Sequence, residues 1–376
     1  MNAHTCHFIE PLDVLLLRSN QLFGDPGSYG EALIPPWPSV AAGAIRSRML
    51  ADDGIDLAAF GKGQKPHPTL GTPEAPGSFV LQAFHLARKH EKKLELLLAP
   101  PADLVLHTEG TGVQAQALKP TRLPAKLATS SRLPLLPVLA QAERSKAASG
   151  WWLRQRGWQK YLAGQTPAGD DFIKTSELWA IDERVGVGLS SDKRSAEDGK
   201  LFTSRAVAFK PGVGFVTAVA SAVPPGAGML RLGGDGRAAS IQSIEIDWPQ
   251  PDYQAISQQQ SCRIVLTSPG LFTQGWLPNG FTEADGSYRF DLHGVQGRLV
   301  AASVARSEIV SGWDLARWQP KPAQRIAPAG SVYWLDELQA SPDALCKLAT
   351  QGLWSEACED AQRRAEGFNR YSLALY

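Results

Sequence analysis

The fold is decided near the N-terminus by residues 8–47, which read FIEPLDVLLLRSNQLFGDPGSYGEALIPPWPSVAAGAIRS. Residues 7–17 are mostly apolar and predict a strand. Glycine, proline and aspartate in residues 24–30 then predict a structured loop. Ser39 is a suitable cap for a helix that reaches about residue 52, because apolar residues recur there at four-residue steps. The stretch therefore predicts a strand, a loop and a helix that begins where the loop ends.

Two further strands are predicted directly after this helix. Residues 78–87 and 93–98 alternate in polarity around a charged run, which is typical of an antiparallel hairpin. Strand, helix, strand, strand is the opening half of a β-α-β-β-α-β ferredoxin-like unit, a fold whose open sheet face often binds RNA. Fold alone proves no function, so the site residues must supply the argument.

The rest of the chain divides into a helical, tryptophan-rich part and a β-rich part. Residues 118–168 predict helical structure, and residues 173–181 predict one more helix. A second hairpin is predicted from residues 184–189 and 201–209, with a charged tip between them. Beyond it, short strands alternate with glycine and proline, and two helices precede a last strand. We place a boundary near residue 210, which gives domains 1–210 and 211–376.

Composition excludes several classes of protein. A 376-residue chain with 43% hydrophobic and 20% charged residues is globular. Its net charge of +1 excludes a protein that coats nucleic acid through global basicity. The four cysteines form no C-x-x-C pair, so neither a disulfide framework nor a zinc framework is expected. No apolar run approaches about 18 residues, so we expect a cytoplasmic protein with no membrane contact.

Motifs of the familiar enzyme classes are missing. The sequence has no G-x-S-x-G, H-E-x-x-H or Walker A motif, and no dinucleotide fingerprint follows a strand. Gly24, Gly27 and Gly30 resemble a phosphate-binding loop only superficially, since Pro26 removes an amide donor. His4, Cys6 and His7 could ligate a metal, but no second ligand cluster accompanies them. We expect no catalytic residue, no metal and no cofactor.

Positive charge is concentrated in one segment. Residues 86–168 contain thirteen Lys or Arg and five Asp or Glu, a net charge of +8. Lysine and arginine neutralise phosphates, and aromatic faces stack unpaired bases. Basic and aromatic residues interleave from Trp151 to Tyr161, which also fits a solvated helix with tryptophans in the core. The segment therefore indicates local rather than global contact with nucleic acid.

Helix geometry separates two arginines of the first helix. With Ile45 at the centre of the buried face, Arg46 lies about 100° away and Arg48 about 60° away on the other side. Arg48 is thus predicted to pack and Arg46 to contact a ligand, although a surface role for Arg46 stays open. In the second hairpin, Gly186 and Gly188 leave one face bare, which indicates close approach of a helix or a ligand.

Residues 8–47 closely resemble the N-terminal signature of the third Cmr subunit, a RAMP protein of type III-B CRISPR effector complexes. Three further segments are similar in order and character: IDERVGVGLSSDKRSAEDGKLFTSRAVAFKPGVGF, RLGGDGRAA and GWDLARWQPKPAQRIAPAGSVYWL. The resemblance implies an α+β protein with two ferredoxin-like (RAMP or RRM-like) folds in tandem and helical and β-hairpin insertions. RAMP proteins usually carry a Gly-rich loop near the C-terminus, whereas residues 364–370 have one glycine.

The resemblance also implies a function. The chain would bind the 5′ repeat-derived tag of the guide RNA and dock the large palm-domain subunit, beside a backbone RAMP subunit that cleaves the target RNA. Target RNA would be met only indirectly. Phe23 would stack a base and Asn20 would hydrogen-bond one, while cations would hold phosphates. The expected RNA-binding residues are Arg18, Asn20, Phe23, Arg46, Arg184, Lys193, Arg194, Arg237, Lys321, Arg325 and Arg370.

Two alternatives remain open from the sequence. One is a RAMP-family endoribonuclease that processes precursor guide RNA with His7 or His293 as the base. The other is a scaffold whose basic segment meets an acidic partner surface, without RNA contact.

Overall fold

The computed structural model describes residues 4–17, 29–30, 33–90, 93–140, 146–190, 192–193, 195–314, 317 and 319–376. The strands are β1 (Thr5–Pro11), β2 (Tyr29–Gly30), β3 (Val80–His90), β4 (Lys93–Leu98), β5 (Leu104–Glu109), β6 (Gly112–Ala117), β7 (Lys119–Thr121), β8 (Leu136–Val138), β9 (Trp151–Arg154), β10 (Phe172–Lys174), β11 (Trp179–Leu189), β12 (Ala196–Phe209), β13 (Val213–Ala220), β14 (Ala227–Arg231), β15 (Ala238–Ser243), β16 (Cys262–Leu266), β17 (Phe281–Ala284), β18 (Ser287–Leu292), β19 (Val295–Ser303), β20 (Glu308–Val310), β21 (Trp313–Asp314), β22 (Gln319–Pro320), β23 (Gln324–Ile326), β24 (Val332–Gln339) and β25 (Tyr371–Ala374). The helices are α1 (Pro38–Asp52), α2 (Leu57–Gly61), α3 (Gln155–Leu162), α4 (Tyr253–Gln259), α5 (Pro342–Gln351) and α6 (Ala361–Ala365).

The chain forms two compact units, each assembled from three segments. The first unit takes residues 1–94, 175–245 and 310–323, and the second takes 95–174, 246–309 and 324–376. The architecture is strand-rich α+β with several antiparallel sheets, as the α+β prediction requires. The units interleave along the sequence, and the division near residue 210 into two domains stays a prediction.

The first unit is built on an antiparallel sheet in the order β3-β13-β1-β15-β14. Every residue of β13 is buried, which is why this strand has a nearly continuous apolar sequence. Helix α1 packs against β3 and β14 through a buried face that includes Ala41, Ile45 and Met49. Trp37, not Ser39, is its N-cap residue, because Pro38 occupies the first helical position, where its fixed φ suits the helix.

The second unit is built on an antiparallel sheet in the order β17-β18-β19-β24-β16-β25. Leu299 and Leu335 from this sheet form one buried core with Leu345 and Leu348 of α5. The end of β4 pairs with β9, and β9 pairs with β10. Two-stranded ribbons, β5 with β6 and β7 with β8, complete the unit.

The predicted elements are confirmed where the sequence has a clear hydrophobic periodicity. The first strand, the first helix, both hairpins and the final strand all exist, and β4 has the predicted bounds, whereas several other boundaries move. The helical prediction for residues 118–168 is wrong, since the described residues of this segment form one eight-residue helix and otherwise strands and loops. Four prolines between residues 120 and 137 prevent a helix there. The helix predicted over residues 173–181 is also wrong, because the segment is split between β10, a short 3-10 turn and the start of β11.

No helix in the described ranges is both long enough and apolar enough to cross a membrane.

A buried polar cluster lies beside the core of the second unit. The Arg263 Nη1 donates to Asp103 Oδ2 at 2.8 Å, and its Nη2 donates to the Tyr161 and Leu375 carbonyl oxygens. The Tyr161 hydroxyl donates to Asp103 Oδ1 at 2.8 Å, and the guanidinium lies 4.1 Å from the Tyr161 ring centroid. Since both charged groups are buried, each depends on the other for compensation.

We predict that Asp103→Ala lowers the free energy of unfolding by about 3–5 kcal/mol, because it leaves the Arg263 guanidinium buried without its carboxylate. The control is Glu283→Ala, which removes the partner of Arg132 in an exposed pair and should cost less than about 1 kcal/mol. Urea unfolding followed by tryptophan fluorescence measures both. If both variants lost the same free energy of unfolding, the buried cluster would stabilise the fold no more than an exposed ion pair does.

Candidate nucleic-acid interface

The first loop begins and ends at strand β12. Leu15 and Val207 exchange two backbone hydrogen bonds of 2.9 Å just before the loop. After the loop, β2 pairs in parallel with Thr203 and Ser204 of the same strand. The Leu33 amide then donates to the Leu17 carbonyl at 3.0 Å. The base of the loop is therefore fixed to the second hairpin, while Arg18, Asn20 and Phe23 lie outside the described residues.

A glycine-rich turn contacts the start of the same loop. The Gly234 amide donates to the Leu16 carbonyl at 2.8 Å. Gly233 has a φ of +78°, and a Cβ atom there would lie 2.8 Å from the Leu16 oxygen. Only glycine fits this close approach without strain. The turn also delivers Arg237, whose Nη1 lies 2.5 Å from Asp13 Oδ2.

Two of the predicted RNA-binding arginines, Arg237 and Arg184, act on the Asp13 carboxylate and form a charge cluster with it. A hydrogen bond from the Val14 amide and the positive charges of Arg237 and Arg184 lower the pKa of the Asp13 carboxyl. Arg184 also pairs with Asp182 at 2.8 Å and is exposed. Exposed ion pairs of this kind contribute little free energy, so the arginines can exchange a carboxylate for a phosphate at small cost. No sequence pattern singled out Asp13 as a residue of the site.

The second hairpin presents an exposed apolar face that sequence reasoning missed. Val185, Val187 and Leu189 alternate along β11 with exposed fractions of 43–69%, and Leu201 lies opposite Val187 on β12. The sequence shows that apolar residues alternate along this strand. It does not show whether another element covers the apolar face. Lys193 is exposed at the tip, and Arg194 lies outside the described residues. A hairpin with an exposed apolar face and a charged tip that carries Lys193 is suited to contact unpaired bases and phosphates.

The two arginines of α1 have different surroundings. Arg48 pairs with Asp52 at 2.7 Å and donates to the Met229 carbonyl, so it packs between α1 and β14 as its predicted position required. Arg46 is half-buried, with its guanidinium 4.8 Å from the Phe79 ring centroid. This packing leaves the ligand contact of Arg46 a prediction.

Three further predicted residues lie apart from the Asp13 cluster in the chain. Lys321 follows β22, where its backbone amide donates to the Gly312 carbonyl. Arg325 is exposed and lines a pocket of about 500 Å³ with Trp276. Arg370 is buried, its Nη1 donates to the Thr350 carbonyl at 2.8 Å, and burial lowers its pKa to about 10. The RNA contact of Arg370 stays a prediction that its buried position does not favour.

The two candidate catalytic histidines have enclosed positions. His7 is fully buried in β1, and burial lowers its pKa. His293 Nε2 donates to the Trp354 carbonyl at 2.8 Å, which fixes the proton on that nitrogen. In the parts of the chain that the structure describes, no three His, Cys, Asp or Glu side chains come together as metal ligands.

Comparison with known proteins identifies the family. The family model described as "CRISPR-associated protein (Cas_Cmr3)" matches residues 7–373. Two similar solved structures are cryo-EM structures of the Type III-B Cmr-beta, each covering 98% of both chains. One, bound to cognate target RNA, has 12% sequence identity and a TM-score of 0.47. The other, bound to cognate target RNA and AMPPnP in state 1, has 13% identity and a TM-score of 0.46.

Curated proteins give no match to the sequence. The family match nevertheless extends over nearly the whole chain, and it includes both the first loop and the second hairpin. The chain therefore belongs to the CRISPR-associated Cmr3 family, the family that residues 8–47 resemble.

Proposed function

We propose that this chain is a non-catalytic subunit of a type III-B CRISPR effector complex that binds the 5′ repeat-derived tag of the guide RNA. It would dock the large palm-domain subunit, lie beside a backbone RAMP subunit and act in the cytoplasm in antiviral defence. Each half of the chain, 1–210 and 211–376, would be a ferredoxin-like RAMP fold. Family membership supports the assembly, and the tag-binding role rests on the geometry of the first unit.

The observation that carries the proposal is the convergence at β12. The first loop, the glycine-rich turn and the base of the hairpin are joined by backbone hydrogen bonds to one another. Arg237 reaches this point from the glycine-rich turn and pairs with Asp13, while Arg184 reaches it from β11 and pairs with Asp182. Phosphate contacts fix the register of a nucleic acid, and base contacts supply its sequence specificity. We assign the first task to the arginines and the second to Asn20 and Phe23.

The hairpin extends this surface. Its exposed valines and leucines offer apolar contact to unstacked bases, and Lys193 offers a charge at the tip. Arg46, Arg194, Lys321 and Arg325 are retained as proposed phosphate contacts.

The arginine pair is tested by Arg184→Ala combined with Arg237→Ala in the assembled complex. We expect weaker RNA binding, and the slope of log K against log salt should become shallower by about 1.4, since each single-strand phosphate contact contributes about 0.7. The control is Arg289→Ala combined with Arg298→Ala, which removes equal charge from arginines paired with Glu337. Filter binding measures both variants.

Affinity that is unchanged in the first variant, and also after Arg18→Glu with Arg46→Glu, would favour a scaffold role.

Tag recognition is tested by Asn20→Ala combined with Phe23→Ala. Loss of base stacking costs about 1–3 kcal/mol, so the preference for tagged over scrambled guide RNA should fall by about 5- to 150-fold. Phe23→Tyr keeps an aromatic face and should retain most of the preference. If the native complex already binds both RNAs equally, the chain does not recognise the tag.

The absence of catalysis is tested by incubating the purified protein with precursor guide RNA. We expect no specific cleavage, because His7 is buried and His293 is bound to a carbonyl oxygen. Specific cleavage that disappears in His7→Ala or His293→Ala would instead establish a processing endoribonuclease.

A further inference from the structure

The ribbon of β7 and β8, with the segment between them, carries charge that the proposed tag site does not use. We call residues 119–138 the basic arm. From residue 110 to residue 142 the sequence contains no Asp or Glu, and the four cations in this range are Lys119, Arg122, Lys126 and Arg132. The arm belongs to the second unit.

Three of these cations are exposed and have no acidic neighbour. Lys119, Arg122 and Lys126 are exposed, and no carboxylate of the described residues lies within salt-bridge distance of them. Arg132 differs, because its Nη1 lies 2.9 Å from Glu283 Oε1. Most other exposed arginines described above have carboxylate partners. An exposed cation without a carboxylate partner is available to attract an external anion.

The arm has an ordered backbone. Before β7, the Leu118 amide donates to the Asp103 carbonyl at 2.7 Å, and after the loop the Leu135 amide donates to the Val300 carbonyl at 3.0 Å. Leu133 packs against the core of the unit. Within the loop, the Leu127 amide closes a turn onto the Pro124 carbonyl. The backbone that carries the cations is therefore anchored at both ends of the arm.

The side chains between these anchors favour a phosphate backbone over a protein surface. Leu127 is the large apolar side chain that the arm exposes, and the other residues from 124 to 131 are proline, alanine, lysine, threonine and serine. Stable protein interfaces need an apolar core with aromatic or aliphatic anchors. Phosphate contact needs mainly exposed lysine and arginine.

We propose that the basic arm is a second RNA-binding site, which holds phosphodiester groups through Lys119, Arg122 and Lys126 without reading sequence. The inference rests on the proposed membership in an RNA-guided complex, but not on tag recognition. Its ligand is the RNA backbone, supplied by the guide strand or by the target strand.

The test removes the three charges together, as Lys119→Gln, Arg122→Gln and Lys126→Gln, in the assembled complex. The slope of log K against log salt should become shallower by about 2, at about 0.7 per single-strand phosphate. Between 50 and 200 mM salt, the affinity of the variant should accordingly fall about 20-fold less than that of the native complex. The probes are tagged guide RNA, scrambled guide RNA, and each of these with complementary target RNA.

The control removes equal charge as Lys65→Gln, Arg306→Gln and Lys347→Gln. These three residues are exposed, and no carboxylate of the described residues pairs with them. The control should keep the native slope.

A second control, Lys119→Arg with Lys126→Arg, keeps the charge and should also keep the native slope. This result distinguishes phosphate binding from a structural role of the side chains.

The possible outcomes separate this site from the tag site. A change of slope with guide RNA alone assigns the arm to the guide, and a change only with target RNA assigns it to the target. The change should be equal for tagged and scrambled guides, so it survives even if tag recognition fails. Equal slopes for arm and control variants would overturn the proposal. Failure of only the arm variant to assemble with its protein partners would overturn it in favour of an acidic protein surface.

Discussion

The paired hydrogen bonds between Leu15 and Val207 constrain the candidate site more than any side chain does. They fix the point at which the chain leaves the first sheet to form the loop, and β2 fixes the point of return three residues along the same strand. The two ends of the loop are therefore held at defined positions by backbone hydrogen bonds, whatever side chains the loop carries. Backbone pairing, and not charge, therefore brings together the first loop, the glycine-rich turn and the second hairpin.

The arginines and lysines of this protein fall into three physical classes. Arg263 and Arg370 are buried and satisfy carbonyl or carboxylate oxygens, so their charge supports the fold. Arg184 and Arg237 are paired with exposed carboxylates, which hold their side chains near Asp13. Lys119, Arg122 and Lys126 of the basic arm have no such partner among the described residues. Cations that carboxylates hold in place are suited to fix the register of a bound RNA. Cations without such partners are suited to raise the affinity for RNA without fixing its register.

Much of the fold followed from local sequence signals, and the failures have physical causes. Periodicity correctly predicted α1, β3, β4 and the long hairpin. It failed over most of residues 118–168, where a helical pattern was predicted although four prolines between residues 120 and 137 oppose a helix. The interleaving of segments in the two units depends on long-range strand pairing, such as that of Thr5 with Val219. A local pattern does not encode which distant strand a segment will join.

The site was less predictable than the fold, because residue type does not reveal burial or partner. Arg370 and Arg237 were equivalent in the sequence, yet Arg370 lies in the interior while Arg237 reaches Asp13 from a turn that only glycine permits at position 233. Asp13 itself carried no signal, since an acidic residue is not expected where phosphates bind. Its position becomes intelligible only in the fold, where Arg237 pairs with it and the charge of Arg184 acts on it. Asp13 and Arg237 are brought together because β1 pairs with β15, and no local pattern in the sequence indicates that pairing.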